Sequence, residues 1–388
     1  MQIQHGTLLV CCNNSSENSY GNEQAFNSSI SNEVMEKYVE TLNYLLKSKK
    51  NKTIIDDITV VYWSMSEDKK NEDYFNMLML EDSEMQKDEL DNNLNSLIND
   101  AKQGTLLREK INEFDKIKPN ADFYIVGLKP NVSRIALKFI YKKKFGDIVY
   151  NVVKHQEDLQ IGDKIKPVRL WQIKKELVSP HSSQSSKNQS VNPALLSKIY
   201  ESVIMGTNYP EVLLSIIVRR LKTDVAEDLN VNNKVRVGIV KAVINRKLRL
   251  SGQREELKMS LDCENSNEAY LCGRLFAVLE MIQKVSLNNS INRTIKDAYF
   301  ASASSTPSIV FPKLLKLSQY HLSKLENCVF WNKLIGEIMD KLNGEFPSNL
   351  LLKDQGRFMV GYYQQVQDLY KEKEEKEKKE EKEEKEEE

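Results

Sequence analysis

Few residues in this sequence have the types and spacing that bond-breaking chemistry needs. The four histidines, His5, His155, His181 and His321, are scattered along the chain. No His-Asp dipeptide and no H-E-x-x-H pattern sets one beside a metal ligand. The phosphate-cradling G-x-x-x-x-G-K-[ST] and the nucleophile elbow G-x-S-x-G are missing too. Asp56–Asp57 is the only adjacent aspartate pair. It could hold a divalent metal, but no third ligand lies at a helpful spacing, and a solvated turn is the simpler account. The five cysteines are odd in number and contain no C-x-x-C, which fits a reducing cytoplasm better than a disulfide framework or a zinc ribbon. Cys263 and Cys272 read as small buried hydrophobes, and His321, set among Leu317, Leu322 and Leu325, as a half-buried helix residue. The pattern implies no catalytic residue, no metal and no cofactor.

The cations are better placed. Arg134 and Lys138 share the wet face of an expected strand that runs into Lys142–Lys143–Lys144. Arg219, Arg220 and Lys222 recur at the end of one expected helix, and Arg246, Lys247 and Arg249 at the end of the next. Charges spaced along a surface can neutralise successive phosphates, each adding affinity that salt removes. Lys and Arg also simply solvate such faces and favour helix C-termini. Pattern alone weighs the two accounts evenly.

The elements that must position these residues fall into distinct stretches. The 56 basic and 56 acidic residues cancel, yet residues 1–120 carry −8, 121–260 carry +12 and 261–370 carry 0. Such asymmetry can mark a nucleic-acid partner. With 40% hydrophobic residues the chain can bury a core, and no apolar run approaches the ~20 residues that span a bilayer. The N-terminus has no signal-peptide pattern. Thr7–Cys12 and Thr59–Trp63 read as strands, and Ser31 caps a helix reaching Lys47 with Met35, Tyr38, Val39, Leu42, Leu45 and Leu46 on one face. Asn71–Asn112 reads as a polar helical stretch. Phe123–Gly127 and Arg134–Tyr141 form a hairpin, with Ile135, Leu137, Phe139 and Tyr141 on one face and a turn at Leu128–Asn131.

Residues 179–192, Ser/Asn-rich and aperiodic, read as a linker, and helices follow from Pro193. Between Asn267 and Ser286, Leu271, Leu275, Val278, Ile282 and Val285 step 4-3-4-3 beside Cys272, Phe276 and Leu279, with Glu280 and Lys284 paired on the wet side. The expected class is α+β: a mixed α/β front part over 1–178, the linker 179–192, a basic helical region 193–258 and a C-terminal helical bundle 259–370. A tail, 371–388, holds 7 Lys and 11 Glu and no apolar residue, so it is a solvated helix or disordered.

Several segments, in order, resemble the large subunit of the type I-C (Dvulg-subtype) CRISPR surveillance complex, Cascade. They are SYGNEQAFNSSIS (Ser19–Ser31), VVYW (Val60–Trp63), GLKPNVSRIALKFIYKKKFGD (Gly127–Asp147) and NYPEVLLSIIVRRLKTD (Asn208–Asp224). SLDCENSNEAYLCGRLFAVLEMIQK (Ser260–Lys284) follows, then Ile291–Leu325 and Met339–Tyr370. The resemblance touches nearly all of the chain except the linker and the tail.

The resemblance implies a non-catalytic, cytoplasmic subunit of an antiviral ribonucleoprotein. Its expected partners are the other Cascade subunits, crRNA, target DNA with its displaced strand, and a recruited helicase-nuclease, with no membrane. Guide pairing reads sequence there, and the protein supports the strands electrostatically. Family members carry a further N-terminal portion, to which sensing of the protospacer-adjacent motif would belong, so this chain is expected to lack it. Three family cation positions differ: Ala298 stands in place of Arg, and Gln364 and Val366 in place of His and Arg. The rear bundle resembles the complex's small subunit, and Met259 stands where an internal start would produce it alone. The competing readings are an independent metal-dependent nuclease using Asp56 and Asp57, and a truncated fragment that does not assemble.

Overall fold

A computed structural model describes residues 21–22, 30–55, 57–67, 69–79, 117–131, 134–162, 167–178, 191–224, 231–253, 255–288 and 293–387. The expected strand at Thr7–Cys12, most of the helical stretch after Met79 and the linker 179–190 lie outside them. Among the described residues the fold is α+β, with one four-stranded antiparallel sheet in the front part and helices behind. The chain divides into two compact units, Met1–Lys154 with Asn192–Gly206, and His155–Val191 with Thr207–Glu388.

The sheet unit opens with α1 (Asn32–Lys47), whose N-cap Ser31 accepts from Val34 N–H. β1 (Lys52–Ile55) and β2 (Ile58–Ser64) form a tight hairpin, then come α2 (Lys70–Met79), β3 (Asp122–Asn131) and β4 (Arg134–Lys144). The sheet order is β1-β2-β3-β4, each pair antiparallel. One face carries Tyr62, Phe123 and Ile125 against Phe75 of α2 and Phe145, which opens α3 (Phe145–Leu159). The Phe123 ring lies 5.0 Å from Phe75 and 4.9 Å from Phe145, centroid to centroid. On the other face Leu45 of α1 packs on Val61 and Leu128.

The β3–β4 hairpin forms, with two departures from its expected course. Leu128–Asn131 continues the strand instead of turning, with Leu128 opposite both Thr59 and Leu137. Pro130 is tolerated because β2 pairs β3 only as far as Leu128, so no neighbour on that side needs its missing N–H. A register shift between Gly127 and Leu128 then breaks the alternation of β4. Phe139 pairs with Gly127 and Leu137 with Leu128, leaving Lys138 as the extra residue of a bulge. The bulge separates Phe139 and Tyr141, which stack with each other, from Leu137, which is exposed. Gly127 is required here, because a Cβ would enter the Phe139 ring. The unit is completed by α5 (Pro193–Met205), which Asn192 caps and Pro193 begins.

The helical unit holds α4 (Leu170–Glu176), α6 (Glu211–Thr223), α7 (Val231–Leu250), α8 (Glu268–Ser286), α9 (Ile295–Ala303), α10 (Pro307–Leu322), α11 (Cys328–Lys341) and α12 (Leu352–Glu387). The wide stripe expected on α8 is buried along nearly its whole length. Phe276 meets Phe300, Phe311, Phe358 and Tyr362 edge to face. α8 and α12 cross at two glycines: a methyl on Gly273 would strike the Phe358 carbonyl, and one on Gly361 the Tyr270 carbonyl. The opposite side of α12 meets α6 and α7, where Gly356 lies against Leu214, Val240 and Ile244. Glu280 and Lys284 pair at 2.7 Å, but inside the unit, where Glu280 also accepts from Tyr362 Oη and Thr294 Oγ1. Among the described residues no helix is long and apolar enough to cross a membrane.

Candidate nucleic-acid interface

The eleven cations singled out in the sequence are sorted by the fold into solvent-facing and internal groups. β4 places Lys142 and Lys144 on one face and Lys143 on the other, as its two-residue period dictates. Lys142 and Lys144 are exposed and share Asp122, at 3.1 and 2.7 Å. Hydrogen bonds from Lys144 and Lys142 hold the Asp122 carboxyl below the usual carboxylate range. Lys142 also lies 5.3 Å from the centre of the Tyr124 ring, which stacks at 5.2 Å on Trp63. Lys143 turns inward and donates to the Met205 carbonyl, fastening the end of α5. Lys138 is exposed at the bulge. Arg134 begins β4, and its side chain lies outside the described residues.

In the helical unit Arg219 and Lys247 are exposed, Lys247 bound to Glu211 at 2.6 Å, and Lys222 is half-buried. Arg220 is internal: it bonds Glu176 of α4 and Asp224, and Arg236 of α7 closes the same network from the other side. Arg246 is internal as well, donating to the Thr207 carbonyl and facing Tyr209 and Asp158. Arg249 forks onto Asp158 and Glu256, and although burial opposes its charge, those hydrogen bonds hold the guanidinium protonated. Arg220 and Arg246 therefore build the unit and do not face solvent as a binding patch would, while Arg249, a quarter exposed, is spent on its two carboxylates. A cation that meets its carboxylate indoors has no charge left to offer a phosphate.

A surface group not singled out in the sequence lies on α10. Lys313, Lys316 and Tyr320 sit at i, i+3 and i+7 on its exposed side, and Lys324 follows just past its end. The Lys324 ammonium lies 4.1 Å from the Tyr320 ring centre, and that of Lys313 5.0 Å from Tyr299 of α9. No acidic residue occurs from Ala298 to Leu325, and no described carboxylate pairs with these three lysines. The helical spacing of lysines in an acid-free stretch is visible in the sequence, but the neutral total of 261–370 conceals it. A stripe of ammonium groups about one turn apart, with aromatic rings beside them, can track a phosphate backbone and stack unpaired bases.

The remaining candidates are accounted for locally. Asp57 closes the β1–β2 hairpin and pairs with Lys129, while Asp56 lies outside the described residues. Among the described residues no group of three or more His, Cys, Asp or Glu could hold a metal ion. Cys272 is buried, its thiol pushed up to about 12 by burial, but Cys263 is exposed in the loop before α8, contrary to the expected buried pair. His321 is half-buried, with Nδ1 2.8 Å from Ser286 Oγ. Gln364 is buried, accepting from Tyr270 Oη and donating to the Lys258 carbonyl, so the changed residue there subtracts no surface cation.

The chain matches the family described as CRISPR-associated protein (Cas_Csd1) over residues 2–370. It belongs to this family. Among curated proteins none matches it. The Cas_Csd1 match takes in the sheet, all of α10 and α12 as far as Tyr370, and stops where the Lys/Glu tail begins.

Proposed function

We propose that this chain is a non-catalytic subunit of a type I-C CRISPR ribonucleoprotein, working beside the other Cascade subunits and crRNA to hold target DNA. Base pairing with the guide selects the sequence, and this protein supports the displaced strand through exposed cations. The observation that carries the reading is the family match across residues 2–370. The acid-free Lys313–Lys316–Tyr320–Lys324 face supports a role for α10 in strand contact, and Lys138, Lys142 and Lys144 offer a second exposed basic group on the sheet unit. The helicase-nuclease that cuts the target would be recruited separately, in the reducing cytoplasm that the free thiols suit.

Co-expression with the remaining complex subunits and a crRNA tests this reading. The chain is expected to co-purify with the crRNA-bearing assembly, and Lys142→Glu with Lys144→Glu to weaken target DNA capture without unfolding the chain. Lys143 is left in place, since its bond to Met205 is structural. Purified chain that degraded DNA with Mg²⁺, and lost that activity with Asp57→Ala, would favour a nuclease and overturn the proposal.

A further inference from the structure

Four arginines of the helical unit are matched by carboxylates: Arg220 and Arg236 by Glu176 and Asp224, Arg246 and Arg249 by Asp158. Buried Arg274 instead donates to the neutral Gln365 Oε1 at 2.9 Å, and Lys222 likewise meets only neutral oxygens. Its half-buried ammonium donates to Ser305 Oγ at 2.8 Å and to Gln355 Oε1 at 2.9 Å, both neutral oxygens. No carboxylate among the described residues comes within ion-pair reach of it. An ammonium has three donors, so one remains beyond these two bonds.

The two acceptors are themselves fixed. Ser305 Oγ donates to the Ala301 carbonyl at 2.9 Å, and Gln355 Nε2 to the Leu350 carbonyl at 2.8 Å. Leu350 N–H returns to the Ser305 carbonyl at 2.9 Å, tying the two supporting segments together. Arg219, exposed three residues before Lys222 on the same side of α6, adds a second cation. A held, desolvated and unneutralised charge is what an oxyanion seat requires, and it needs no rearrangement to accept its ligand.

We propose that Lys222, framed by Ser305 and Gln355, is the seat of one phosphate-class oxyanion, with Arg219 as its outer cation. The ligand is either a phosphodiester of a bound strand, which rests on the DNA-holding reading above, or free phosphate, which does not. Burial lowers the Lys222 pKa, and an anion in the seat would restore it.

The test uses the purified full chain with Lys222→Met, Gln355→Glu and, as a charge control, Lys333→Met on α11. Gln355→Glu keeps an oxygen for Lys222 to donate to and neutralises the ammonium in place, at the cost of the Nε2 donation to the Leu350 carbonyl, so its melting temperature without phosphate is the reference for its own phosphate shift. Thermal melting compares inorganic phosphate with chloride at equal ionic strength, and fluorescence anisotropy follows a labelled single-stranded oligonucleotide across salt concentrations. Phosphate is expected to raise the melting temperature of the wild type and Lys333→Met but not of Lys222→Met or Gln355→Glu. If the ligand is a phosphodiester, both seat variants also lower oligonucleotide affinity, and their salt slope is shallower by about 0.7. An unchanged oligonucleotide response with the phosphate effect lost assigns the seat to free phosphate. No oligonucleotide binding by any form, with the phosphate effect still dependent on Lys222, overturns the DNA-holding reading and leaves the seat standing. Should Lys222→Met fail to fold, Gln355→Glu decides alone. Melting shifts and oligonucleotide binding that are the same in Gln355→Glu as in the wild type overturn the seat.

Discussion

Arg219 and Arg220 are neighbours on α6, yet Arg219 faces solvent while Arg220 lies between Glu176 and Asp224. A helical step of about 100° separates them, and the partner that decides the matter, Glu176, stands far back in the chain. Residue type and spacing therefore located the cationic clusters but not which members they would spend indoors. In β4 the period is two, so the opposite fate of Lys143 was legible once the strand was. His155 shows the same dependence on packing. Its Nδ1 lies 2.5 Å from Tyr209 Oη, and burial, with the Arg246 guanidinium beside it, pushes the imidazole down to about 3. The unfolded chain takes up this proton near pH ~6.5 and the folded chain only near 3, so stability is full above the first value and falls as pH drops toward the second. Denaturant titrations should show the wild type losing about 2 kcal/mol more than His155→Gln between pH 7 and 5. Equal losses would contradict a neutral, buried His155.

The four-residue β1 was too short to read, whereas β2, the two strands of the β3–β4 hairpin and most of the α8 stripe were legible from residue type and periodicity. The bulge at Lys138 and the glycine crossing of α8 and α12 were not, since both depend on how two elements approach. Gly273→Ala should cost about 3 kcal/mol or more, because the added methyl meets backbone that cannot swing aside. A melting temperature equal to wild type would show that the helices part freely. The rear helices pack on α8, α12 also meets α6 and α7, and Leu257 just before Met259 is clasped by Asn245 in both directions. A fragment of residues 259–370 should fold as a helical domain through the α8–α12 contact. It should melt lower than a fragment of residues 207–370, which keeps the second face of α12 covered. Coincident melting curves would mean that α6 and α7 contribute nothing to its stability.

At the scale of the whole molecule, windows of net charge are poor guides to where charge is offered. The +12 middle consumes four arginines in internal networks, whereas the neutral rear carries an acid-free lysine face on α10. Sequence order and family resemblance spoke to the class of protein better than to the surface it uses. The measurement that bears most directly on the DNA-holding role is the salt dependence of single-stranded DNA binding. Wild type is compared with a variant in which Lys313, Lys316 and Lys324 are all replaced by Glu. The wild type should lose affinity steeply as salt rises, and the variant should bind more weakly with a slope shallower by about 2. A flat salt response in the wild type, or a variant indistinguishable from it, would contradict the account.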